Sequence, residues 1–83
     1  MISAAQMRAA RALLGIDQRE LADLAGVSLP TVQRMEASVG TVRGTIETLT
    51  KIVDAIEVAG VELINNEQPS QGRGRGVRFK DRT

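Results

Sequence analysis

From Ser3 to Ala59 the apolar residues return every three or four positions, the spacing that gathers them on one face of an α-helix. The run is punctuated in a way that divides it into four. Ser3 is a good N-cap for a first helix that reaches about Leu14, with Met7, Ala10 and Leu14 on one face; Gly15 suits the left-handed residue that ends it. Asp17 and Glu20 have capping-box spacing at the start of a second helix, whose inward stripe is Leu21, Leu24 and Ala25 and which Gly26 closes. Val27 points inward, and Ser28 caps a third helix to about Ala37 with Val32 and Met35 inside. "SVGTVRG" (38–44) has no clear period and reads as a loop. Thr45 then caps "IETLTKIVDAIEVA", with Ile46, Leu49, Ile52, Val53 and Ile56 on one face. The pattern predicts a mainly α fold in which four helices close around these residues.

Gly60 ends the helical period. "VELIN" (61–65) has strand character, "NEQPSQGRGRG" (66–76) is turn-rich, and "GVRFK" (76–80) alternates Val77 and Phe79 with Arg78 and Lys80. Residues 1–59 and 60–83 therefore read as a helical domain followed by a C-terminal β-hairpin or extended basic arm. An isolated hairpin is marginal in water, so this one should lie on the helices or pair with a second subunit.

Composition removes several kinds of chemistry. In 83 residues there is no Cys and no His, so disulfides, thiolate metal sites and the commonest general base are absent. The acids Glu47, Asp54 and Glu57 face outward by periodicity, and "GRGRG" lacks the lysine of a phosphate-binding loop. The expectation is a non-enzyme with no cofactor and no metal. Phe79 is the sole aromatic, which excludes a stacking platform for single-stranded nucleic acid. No apolar run approaches a membrane span, pointing to a cytoplasmic protein without membrane contact. The net charge of +1 hides a division: residues 1–70 carry six basic and nine acidic side chains, residues 71–83 five basic and one acidic. The basic end, with Arg73, Arg75 and Arg78, could contact phosphate or merely aid solubility.

One stretch demands more than amphipathic helices do. "QRELADLAGVSLPTVQRME" (18–36) resembles the helix-turn-helix of the Cro/lambda-repressor-like (XRE) family through Gln18, Leu21, Ala22, Ala25, Gly26, Val27, Ser28, Thr31, Val32 and Glu36. Ala22 allows a close helix crossing, Gly26 a positive φ in a tight turn, and Val27 fills the angle between the helices. Val32 anchors the third helix so that its other face stays outside. The resemblance covers roughly residues 3–58, with the motif itself at 17–37, and implies a lambda-repressor-like four-helix DNA-binding fold.

Carried over position by position, the resemblance implies that the third helix enters the major groove of double-stranded DNA. Leu29, Pro30, Gln33 and Arg34 would face the bases, and Gln18, Ser28, Thr31, Arg43 and Thr45 the backbone. Arg34 can bond guanine, Gln33 adenine, and the apolar Leu29–Pro30 pair suits thymine methyl groups. Arg11 and Glu36 match positions that often form a salt bridge between the first and third helices, whereas Arg8 and Arg19 read as solvated charges, with contact to phosphate the lesser alternative. The function implied is a sequence-specific transcriptional regulator that binds a two-fold operator as a homodimer through its C-terminal region. An antitoxin that regulates its own operon and holds a toxin partner through the C-terminal arm is the alternative, and RNA binding through "GRGRG" a weaker one.

Overall fold

Each of the four helices starts where a short polar side chain takes up a free backbone N–H. The computed structural model describes residues 2–65 and 74–80. Its elements are α1 (Ala4–Leu14), α2 (Gln18–Ala25), α3 (Leu29–Glu36), α4 (Ile46–Val58), β1 (Val61–Ile64) and β2 (Gly76–Phe79). Ser3, Asp17, Ser28 and Thr45 are the N-caps, each accepting from the backbone N–H three residues on. In α1 and α2 the caps are reciprocal, because Gln6 and Glu20 return their side chains to the N–H groups of Ser3 and Asp17. Gly15 and Gly26 end α1 and α2 in the left-handed region. A Cβ at Gly26 would meet nothing within 4 Å, so its φ of 70° calls for glycine there, not crowding.

The core lies where α1, α2, α3 and α4 converge, and is filled by Ile2, Met7, Leu21, Val32, Met35, Ile52 and Ile56, with Val61 of β1. Two residues of the predicted stripes are not in it. Leu24 is 58% exposed, because it lies on the flank of the arc that Leu21, Ala22 and Ala25 turn inward. Ile46 is 78% exposed, because the first turn of α4 projects past the core, which α4 enters with Leu49 and Ile52. The loop 38–44 contributes instead. Val42 is buried, Thr41 pairs with Ser3 in a single antiparallel bridge, and Ala4 N–H and Val42 N–H donate to Gly40 O and Ile2 O at 3.0 Å.

The C-terminal strands form the hairpin. β1 and β2 are antiparallel, with Val61 opposite Phe79, Glu62 opposite Arg78, Leu63 opposite Val77 and Ile64 opposite Gly76. Leu63 and Val77 pack on the core. On the other face Arg78 donates to both Glu62 oxygens, at 3.1 and 3.3 Å, and holds that carboxyl below its usual range. Arg78 is thus a strand residue with an acidic partner, not part of a free arm. Arg73 and most of the connecting loop lie outside the described residues.

The hairpin is fastened to α1 by one side chain. Gln6 is 2% exposed, and its Nε2 donates to Ile64 O at 3.0 Å and Gly76 O at 3.1 Å, while its Oε1 accepts from Ser3 N–H. A buried carboxamide so satisfied adds to stability, whereas the same group without its carbonyls would be a penalty. The Ser3–Gln6 spacing, a capping box like that of Asp17 and Glu20, was the available sign of this residue.

Candidate nucleic-acid interface

The α2–turn–α3 unit is built from caps and a hinge. Gly26 N–H and Val27 N–H return to Asp23 O and Ala22 O, which closes α2. Two residues later Ser28 opens α3, so three residues separate the helices. Val32 and Met35 are buried against α1 and α2 and fix which face of α3 is left outside. Pro30 stands in the first turn of α3, where its missing N–H had no partner within the helix to lose. On the outer face Pro30, Gln33 and Arg34 are exposed and Leu29 is half-buried. All four expected base-facing residues therefore share one accessible surface at the start and middle of α3.

The helix starts beside this surface differ in electrostatics. Ser28 Oγ and Thr31 Oγ1 lie 2.8 Å apart, and Thr45 Oγ1 donates to Thr48 Oγ1 at 3.0 Å. Both caps are uncharged; α3 has no acid in its first turn, and α4 has Glu47 there, with Lys51 3.4 Å away. Arg43 is exposed just before the cap of α4. In the Thr45 pair the Thr48 oxygen is the acceptor, so the hydroxyl hydrogen of Thr48 remains available to a phosphate, a role the sequence did not suggest. The start of α2 is different. Asp17 and Glu20 already place two carboxylates there, which offset the attraction of the helix dipole for an anion.

Behind α3, Glu36 gathers three elements. Arg11 Nε and Nη2 bond the two carboxylate oxygens at 2.7 and 2.8 Å, and Gln18 Nε2 donates to Oε1 at 3.1 Å. Only 3% of the Glu36 side chain is exposed. The predicted Arg11–Glu36 bridge is therefore present, with fork geometry, and donating to Glu36 holds the Arg11 guanidinium still more firmly protonated. Gln18 was expected to face backbone phosphate; one of its two amide hydrogens is committed to Glu36. Arg8, read chiefly as a solvated charge, donates from Nη1 to Glu36 O at 2.7 Å.

The helices supply uncharged donors, exposed arginines and a rigid outward face, the parts needed to hold a sugar–phosphate backbone while side chains reach base edges. No metal-binding group of acids occurs among the described residues, and no helix there is long and apolar enough to cross a membrane. A helix-turn-helix family model matches residues 7–63, which runs from within α1 through most of β1. No curated protein matches the chain.

Proposed function

The chain belongs to the helix-turn-helix family of Cro/lambda-repressor-like DNA-binding regulators, and from that premise we propose that it reads a two-fold operator as a homodimer, with α3 in the major groove. The observation that carries this reading is the outer face of α3: four exposed or half-exposed side chains held in register by the buried Val32 and Met35. Leu29 and Pro30 contact thymine methyl groups, Arg34 contacts guanine and Gln33 adenine. Ser28, Thr31, Arg43, Thr45 and Gln18 hold the phosphates on either side. One α3 spans only a few base pairs, so useful discrimination calls for two copies.

The hairpin supplies the dimer contact. β2 has β1 on one edge and no described strand on the other, and Phe79 is 54% exposed on it. Pairing of two β2 edges across a two-fold axis would satisfy the open edge and cover Phe79. A second exposed apolar surface is a groove of about 330 Å³ between α2 and α4, lined by Leu24, Ala55 and Val58 among others. Sedimentation distinguishes the two: Phe79→Lys is expected to yield monomers and Val58→Lys to leave dimers. The reverse result would move the contact to α4.

Selection of bound duplexes from random DNA by the purified protein tests the whole reading. A two-fold symmetric motif with half-sites about one helical turn apart is the expected outcome. Equal recovery of all sequences would overturn it.

A further inference from the structure

Of the arginines, Arg8 is held in a way its neighbours are not. Arg19, Arg34 and Arg43 are exposed with no side-chain hydrogen bond or ion pair, whereas Arg8 is exposed yet fixed through one nitrogen to the carbonyl that ends α3. The partner is a carbonyl and carries no formal charge. The nearby carboxylate of Glu36 is taken up by the two-point bond from Arg11 and by Gln18. Among the described residues no carboxylate pairs with Arg8, and its remaining N–H donors are uncommitted.

Gln18 is placed in parallel. It too is pinned to Glu36, through one amide hydrogen, and keeps the second. Two donors from different helices, α1 and α2, are therefore indexed to the same residue, and that residue is the last of the base-reading helix. The geometry points to Arg8 as a further phosphate-binding residue, which together with Gln18 holds the DNA backbone at a fixed offset from α3. This rests on the DNA-binding reading above. Glu36 is the positioning residue: its carbonyl orients the guanidinium of Arg8 and its carboxylate orients the amide of Gln18. Arg11 is what makes this workable, since it neutralises a carboxylate that would otherwise repel a phosphate. The arrangement also suits arginine specifically, because a planar fork can bond a carbonyl with one nitrogen and a phosphate with another, and an ammonium is a single point.

The test is the salt dependence of duplex binding, measured for the selected operator and for an unrelated duplex. Loss of one phosphate contact lowers the slope of log K against log salt by about 0.9 per half-site and weakens binding roughly fivefold near physiological salt. Arg8→Ala is expected to show both changes, equally on the two duplexes, because a phosphate contact carries no base information. Arg8→Lys should restore the slope, since the charge returns. Arg8→Gln keeps an amide donor for the Glu36 carbonyl and discards only the charge, so it gives the same reading if the alanine variant unfolds. A residue that merely caps α3 would lower the melting temperature in Arg8→Ala and leave the slope at the wild-type value, and that result overturns the proposal. Failure of the broader reading looks different: the wild-type protein itself would then show no salt-dependent binding to either duplex.

Discussion

Glu36 is nearly inaccessible to water, yet its carboxyl group takes hydrogen bonds from Arg11 and Gln18. Removing one member of such a pair strands the other, and the loss is then larger than the net worth of the bond. Glu36→Ala should lower stability by roughly 3 kcal/mol, and pairing it with Arg11→Met should recover a large part of that; a double-mutant cycle in urea measures both. Gly26 is a second such residue, but its requirement is conformational. With open space around the absent Cβ, Gly26→Ala pays only for a left-handed backbone, about 1 kcal/mol, and Gly26→Asn less. At the interface, Leu29 and Pro30 have no side-chain hydrogen bonds to give. If the pair meets a thymine as proposed, uracil in its place, which removes only a methyl group, should weaken operator binding, as filter binding with substituted duplexes would show. If substitution at every thymine left affinity unchanged, the apolar pair would have no reading role.

Among the elements, the helices were legible because their ends are written in the chain. Ser3, Asp17, Ser28 and Thr45 cap where the sequence placed caps, and the boundaries agree to within a residue or so. Hydrophobic spacing was less decisive. It cannot tell an inward residue from one on the flank of the stripe, or from one beyond the end of the core, and so it misplaced Leu24 and Ile46. The site was legible in its outward face and its Arg11–Glu36 bridge, both of which follow from position within a helix pair. What stayed hidden was the use of long polar side chains between elements: Gln6 on the hairpin, Arg8 on a helix-end carbonyl and Gln18 on Glu36. Their partners lie 18 to 70 residues away in sequence, and no local period records that. The hairpin depends on one of these contacts. Gln6→Ala should cost about 1–3 kcal/mol and raise hydrogen exchange in β1 and β2 more than in α2 and α3. Uniform acceleration across all elements would mean that the hairpin and helices open as one unit.

At the scale of the whole molecule, the start of α1 and the C-terminal hairpin are built into each other. Removal of the residues after 70 deletes β2, withdraws the Gly76 carbonyl from Gln6 and uncovers Leu63. Such a truncated protein should sediment as a monomer and unfold at a lower urea concentration, while α2 and α3 retain their helical signal. The same connection bears on the order in which the protein can be completed. A polypeptide emerges from the ribosome from its N-terminus, and domains generally fold as units. Here Ser3 and Ala4 wait for residues 40 and 41, and Gln6 waits for residues 64 and 76 before both of its carbonyl acceptors exist. During synthesis the start of the first helix must therefore hold its buried amide in water or in provisional contacts. This packing is complete only once residue 76 has been released, so a nascent chain halted before residue 76 is expected to remain sensitive to protease at its first helix.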